Sequence, residues 1–292
     1  MHISMIPKQT GPRLAAAGVS LAIAGTLLGA GLAGSATAAT AATTAKHASS
    51  SSAAVAKPTI VLVHGAWADS SSWNGVIERL QALGYTVDAP PNPLSGVSSD
   101  SAYLSDFLST ISGPIILVGH SYGGFVITNA ATGNPNVKAL VYDDAFIPAA
   151  GDTPESLSTA LPGSCLTSTA LSFVPYPGAP SGDADVYVKQ SVFPGCFANG
   201  LPAREGAALA AEQQPPVASI LSDTLTTTPA WQTIPSWDVI GTADHVIPPA
   251  EQVVMAKRAG SHITEIKAPH LSMISDPGAV TRVILNAART IG

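Results

Sequence analysis

The sequence predicts an α/β protein: a mostly parallel sheet of about six strands, flanking helices and an inserted helical lid. Two observations predict it. Short apolar runs alternate with amphipathic stretches from Pro58 to Pro148, stop alternating over residues 149–232, then resume to the C-terminus. Of 292 residues, 46% are hydrophobic and only 11% are charged, which favours a large core and argues against global disorder.

The elements follow in order. Thr59 to His64 is an apolar, β-branched run, the pattern of a strand buried on both faces. Asp69 and the serines after it are cap residues for a helix carrying Trp73, Ile77 and Leu80, ended by Gly84. Tyr85 to Ala89 reads as a second strand before a Pro-rich loop. Leu104, Phe107, Leu108 and Ile111 mark an amphipathic helix. Pro114 to Gly119 is a third strand, Tyr122 to about Ala131 a helix, and Val137 to Tyr142 a fourth strand. Residues 149–232 are rich in Pro, Gly, Ser and Thr. They are too long for one bare loop, so they read as a lid of short helices. Trp237 to Gly241 and His262 to Ile266 are the last strands. Pro249 to Ala259 and Asp276 to Ile291 are the last helices, with Asp276 as a cap. Helical crossovers return the chain in one direction, so the sheet is parallel and reactive groups collect at the carboxyl ends of its strands.

Residues 1–38 read as a secretory signal: Lys8 and Arg13, an apolar stretch from Leu14 to Leu32, then Ala36-Thr37-Ala38 as a cleavage site. An uncleaved membrane anchor is the rival, but the stretch is rich in Gly and Ala rather than Leu and Ile. No Arg-Arg pair marks twin-arginine export, and no Cys near the cleavage point marks a lipoprotein. Residues 39–57 form an Ala/Ser/Thr-rich leader, and residues 58–292 the folded domain. The expected protein is secreted, with no stable membrane association after cleavage. A formal charge of −6 without any Lys/Arg run excludes the phosphate-neutralising stripe of a nucleic-acid binder. In an exported chain the two cysteines, Cys165 and Cys196, read as a disulfide. Neither lies in a nucleophile motif, and no zinc-site spacing surrounds them.

Gly119-His120-Ser121-Tyr122-Gly123 is a G-x-S-x-G motif set directly between an apolar strand and a helix. Its glycines permit a turn too tight for side chains, so the Ser121 hydroxyl projects from the corner. The helix N-terminus turns backbone N–H groups toward any oxyanion formed there. This motif, with Gly124 after it and His64-Gly65-Ala66-Trp67 at the end of the first strand, resembles the α/β-hydrolase superfamily. The nearest likeness is to the small esterase group that includes plant methylesterases and hydroxynitrile lyases. The resemblance covers roughly residues 58 to 292, less much of the lid. It implies an oxyanion hole of the Ala66 and Tyr122 amides. Longer members carry two strands ahead of this point, which the leader cannot form. A serine at position 121 disfavours epoxide hydrolase and dehalogenase chemistry, which uses Asp there.

A hydroxyl needs an adjacent base. Among seven histidines, His2 and His47 lie in the leader and His262 starts a strand, at the wrong edge. His120 points away from the hydroxyl, His245 follows the candidate acid, and His64 is placed to brace the oxyanion loop. His270 follows the last strand and fits the chain order Ser, acid, His. The acid is Asp244, in Gly241-Thr-Ala-Asp244-His-Val-Ile-Pro248, which resembles the family's G-x-x-D-x-x-I-P segment. Asp143 and Asp144, at the end of the fourth strand, are its rivals. The reading is a serine esterase that cleaves small-molecule carboxylic esters through an acyl-enzyme, without metal or organic cofactor. A histidine base implies a rate that falls on the acid side. Trp67, Phe125 and Phe146 are candidates for an apolar pocket, with Phe173 and Tyr176 in the lid. The alternatives are a hydroxynitrile-lyase-like activity, for which Lys267 is the nearest lysine to His270, perhydrolysis on the same site, and a non-catalytic binding protein.

Overall fold

The computed structural model describes residues 57–180 and 182–291. Residues 1–38, expected to be a secretory signal, and all of the expected leader except Lys57 lie outside the described residues. The sheet has six strands: β1 (Thr59–Val63), β2 (Val87–Asp88), β3 (Ile115–His120), β4 (Val137–Asp143), β7 (Ser236–Gly241) and β8 (His262–Ile266). Their spatial order is β2-β1-β3-β4-β7-β8, and every neighbouring pair is parallel. The predicted fold class holds.

Burial follows position in the sheet. Every residue of β3 and β7 is buried, because helices cover both faces of the central strands. In the edge strand β8 three of the five residues are exposed and none is buried. β2 is shorter than the apolar pattern predicts. The Tyr85 N–H donates to the Leu80 carbonyl at 3.1 Å, so that residue closes the preceding helix instead of joining the ladder. Pro90, beyond Ala89, has no N–H to extend the strand.

The helices α1 (Asn74–Ala82), α2 (Val97–Ser109), α3 (Gly123–Ala130), α6 (Pro249–Ala259) and α8 (Pro277–Thr290) flank the sheet. Asp69 caps the 3-10 turn that precedes α1 by accepting from the Ser71 N–H at 2.7 Å. Asp276 caps α8 by accepting from the Ala279 N–H at 2.9 Å, with Pro277 at the first helical position. The closing helix is preceded by a separate single turn, α7 (Ser272–Ser275). All eight residues of α3 are buried, so this helix has no solvent face. No helix among the described residues is long and apolar enough to cross a membrane.

The inserted segment contains α4 (Pro154–Thr159), α5 (Ala203–Glu212) and several 3-10 turns. It also contains an antiparallel hairpin, β5 (Leu171–Val174) with β6 (Asp185–Val188), which the sequence reading did not foresee. Each hairpin strand has four residues and the connection is rich in Pro and Gly, so no period-2 signal is long enough to register. Cys165 and Cys196 are disulfide-bonded, with their Cα atoms 5.7 Å apart.

Candidate active site

The parallel register brings the carboxyl ends of five strands to one rim. Val63 pairs with Gly119, His120 with Asp143, Asp143 with Val239, and Gly241 with Ile266. The segments leaving that rim carry Ala66, Ser121, Asp143, Asp144, Asp244 and His270.

Ser121 sits at the corner between β3 and α3 with φ 52°, a left-handed backbone that side-chain-bearing residues rarely adopt. Three backbone bonds hold it there. Its N–H donates to Asp143 O at 3.3 Å, and its carbonyl accepts from Gly124 N at 3.0 Å and Phe146 N at 3.2 Å. Close approach explains two glycines around it. A Cβ on Gly124 would lie 2.0 Å from Phe146 O, and one on Gly65 would lie 2.7 Å from Ser121 Cβ. The loop after β1 is therefore pressed directly against the serine.

The Ser121 Oγ lies 3.1 Å from His270 Nε2, and His270 Nδ1 lies 2.9 Å from Asp244 Oδ2. His270 is fully buried. Asp244 Oδ1 also accepts from the Val246 N–H at 2.6 Å and the Ile247 N–H at 3.0 Å, and its Oδ2 from Gln252 Nε2 at 2.8 Å. Each of these neighbours is a donor, so both carboxyl oxygens of Asp244 act as acceptors. With Oδ2 accepting, Nδ1 is the protonated nitrogen of His270, which leaves Nε2 as an acceptor for the Ser121 hydroxyl. The Ala66 and Tyr122 amides have no backbone acceptor among the described residues, and both residues line the cavity that contains Ser121.

Asp143 and Asp144 are brought to the same rim but make no hydrogen bond to His270. Asp143 Oδ1 accepts from the Ser272 hydroxyl at 2.7 Å, and Asp144 Oδ1 from the Gly241 N–H at 2.6 Å. They tie the end of β4 to α7 and to the end of β7. Burial pushes the Asp143 carboxyl up to about 7, helped by Asp244 nearby. Burial, then the negative Asp244 and Asp143, raises Asp144 well above the usual carboxylate range. Asp238 on β7 is also raised well above it, by burial first and Asp143 second, and both of its carboxyl oxygens lack a partner.

Asp238 carries a pH prediction. Unfolded, its carboxyl releases a proton near pH ~4; folded, it keeps that proton to a much higher pH. Across that window the folded chain binds more protons, so stability falls as pH rises. Asp238→Asn keeps the shape and removes the ionisation. It is expected to raise stability on the order of 1–3 kcal/mol at pH 8 and to change it far less at pH 5. Urea midpoints at the two pH values check this. An equal change at both would show that the carboxyl is not held neutral.

His64 is buried, and burial lowers its pKa, which keeps it neutral. Its Nδ1 donates to Gly65 O at 2.9 Å and its Nε2 accepts from Asn92 N at 2.9 Å, while Asn92 Nδ2 donates to His64 O at 3.0 Å. These bonds brace the loop after β1. His120 makes no hydrogen bond to the Ser121 hydroxyl, and its Nε2 donates to the main-chain carbonyl of His270 at 3.0 Å. The two rings lie 4.7 Å apart. Burial, then the neighbouring His270 imidazole, pushes the His120 pKa well down, so this ring is neutral. From the sequence, the place of His120 next to Ser121 argues against it as the base. The available signal was its place at the same strand end.

Trp67 and Phe146 line the Ser121 cavity, which encloses about 90 Å³. Phe125 does not, which corrects its place among the pocket candidates. It is fully buried in α3, 6.4 Å from the Tyr122 ring and 5.7 Å from the Phe146 ring, because that helix is covered on all sides. Phe173 is exposed on the hairpin, and neither it nor Tyr176 lines the cavity. Lys267 is exposed and does not line it either. The lid contributes Leu166, Leu171, Pro216, Ile220 and Leu221, and no lining residue is charged. Two residues in contact with the site were not foreseen. Gln252 bonds Asp244, and Phe197, beside the disulfide, sets its ring 5.1 Å from that of His270. Among the described residues no group of three or more His, Cys, Asp or Glu is arranged to hold a metal ion.

The chain belongs to the α/β-hydrolase family, whose model matches residues 60–283. A carbendazim hydrolyzing esterase from a Nocardioides strain is 34% identical over 127 residues, 39% of this chain and 51% of that protein. A pyrethroid hydrolase from Sphingobium wenxiniae is 36% identical over 118 residues, 36% of this chain and 41% of that protein. The chain thus matches about half or less of the length of these curated relatives. Among solved structures, polyneuridine aldehyde esterase superposes with a TM-score of 0.68 at 18% identity, covering 79% of this chain and 99% of that one, which shows the shared fold.

Proposed function

We propose that the protein is a serine esterase that hydrolyses small, uncharged carboxylic esters in two acyl-transfer steps. The observation that carries this is the chain of contacts from Ser121 Oγ to His270 Nε2 at 3.1 Å and from His270 Nδ1 to Asp244 at 2.9 Å, opening on an uncharged cavity. Ser121 Oγ attacks the ester carbonyl as His270 Nε2 takes its proton. Asp244 stabilises the imidazolium that results. The oxyanion binds to the Ala66 and Tyr122 N–H groups, which lack competing backbone acceptors. His270 then protonates the leaving alcohol. Water, activated by the same nitrogen, releases the acid and restores Ser121. No metal or organic cofactor enters any step. The esterase and hydrolase names of the relatives agree with this reading.

We also propose that the protein is exported with residues 1–38 removed. A disulfide within the folded domain supports this, because such bonds persist in oxidising compartments.

A fluorophosphonate probe and a panel of p-nitrophenyl esters of increasing acyl length test the activity. The expected result is turnover of neutral esters and a single probe adduct on the peptide containing Ser121. Folded protein that turns over no ester and takes no probe would favour a binding protein instead.

A further inference from the structure

Trp67 follows Ala66 directly and holds φ 59°, in the left-handed region. That conformation is disfavoured for a bulky side chain and persists only where the surroundings enforce it. Two carbonyls of the inserted segment do so here. The Trp67 backbone N–H donates to Gln214 O at 2.9 Å, and its indole Nε1–H donates to Val186 O, on β6, at 2.7 Å. The indole is thereby fixed at both ends against the lid, on the loop that carries Ala66.

Trp67 borders two spaces. One is the cavity containing Ser121 and Phe146. The other is a second hollow of about 20 Å³, walled by Phe193, Phe197, Leu271 and Ile274, with Asp69 and Glu212 also on its lining. The Trp67 and Phe197 rings meet edge-on at 5.7 Å. Among the described residues, Trp67 is the one that lines both spaces.

We propose that Trp67 is the specificity-determining wall of the site, a lid-anchored partition that limits the length of the apolar arm of the ester. The inference rests on the esterase reading above and adds the residue that sets the substrate size. Truncating the ring joins the two spaces and lets a longer chain extend past residue 67. The N–H anchor and the ring bulk are separable, because phenylalanine keeps most of the wall and loses only the bond to Val186.

The test compares kcat/KM for p-nitrophenyl octanoate with that for p-nitrophenyl butyrate in the wild type, Trp67→Ala, Trp67→Leu and Trp67→Phe. The octanoate-to-butyrate ratio is expected to rise about 10-fold or more in the alanine variant, since each methylene admitted to an apolar pocket carries a large discrimination. The leucine variant should shift the same way, and it serves in place of alanine if that chain does not fold. The phenylalanine variant should keep a ratio within about 3-fold of the wild type. An unchanged ratio in both truncations of an active enzyme would overturn the wall. A phenylalanine variant that shifts as far as alanine would overturn it too, assigning the effect to the anchor. A wild type inert toward both esters and unlabelled by the probe would instead defeat the esterase reading on which the wall depends.

Discussion

Replacing Ser121 by alanine is expected to lower kcat on the best p-nitrophenyl ester by about 10⁴–10⁶-fold, and replacing His270 as well should cost almost nothing more. The reason is the single contact at 3.1 Å between them. Serine without an acceptor for its proton is a poor nucleophile near neutral pH, and the imidazole without the serine has no proton to take. The two side chains serve one step, so deleting either removes the same term. KM should move little, because the missing bond is made in the transition state and not to the bound ester. The fold should survive, since three backbone hydrogen bonds, not the hydroxyl, hold residue 121 at its positive φ. The measurement is kcat for Ser121→Ala, His270→Ala and the double variant, each with far-UV circular dichroism. Losses that multiply in the double variant would mean that the residues act on separate steps, and the proposed relay would fail.

The parts of the site legible in the sequence are those whose chemistry is written within a few residues of a strand end. The Gly-x-Ser-x-Gly corner announces itself because strand, turn and helix follow one another without a gap. His270 and Asp244 could be picked from seven histidines and several carboxylates because a parallel sheet sorts them by edge. His262 was rejected by the same rule, and it does pair with Trp237 at the opposite end of its strand. What stayed hidden depends on distant segments meeting. Phe125 and Phe146 are the same residue type and both lie near Ser121. Only the complete covering of α3 sends one into the core and leaves the other on the cavity. Gln252 and Phe197 are fixed against Asp244 and His270 by the packing of α6 and of the disulfide-linked segment. The hairpin β5–β6 is stabilised by the lid around it and not by its own short apolar runs, so its sequence carries little signal.

Asp244→Asn should cost about 10³–10⁴-fold in kcat while leaving the chain folded, whereas Asp143→Asn and Asp144→Asn should change kcat by less than about 10-fold. The difference follows from which hydrogens each oxygen receives. Asp244 Oδ1 takes two backbone N–H groups, so the carbonyl oxygen of an asparagine must occupy that place. Its NH₂ then faces Gln252 and His270, where two donors previously met Oδ2. Gln252 could turn its amide over to accept, because its Oε1 has no partner, but it would lose the bond it gives to Ile247 O. His270 has a simpler response: Nδ1 becomes the acceptor and the proton moves to Nε2. That tautomer points a hydrogen at Ser121 Oγ and can no longer take one, so the base is lost without any change of shape. Asp143 and Asp144 bond to Ser272 and to Gly241 and never meet the imidazole, so their amides leave its tautomer alone. Burial already favours the neutral form of both, which an amide imitates. The kcat of the three variants, each with a melting curve, decides the assignment. Should Asp143→Asn or Asp144→Asn lose as much rate as Asp244→Asn with its melting temperature intact, the orienting acid would belong to β4 and not to the loop after β7.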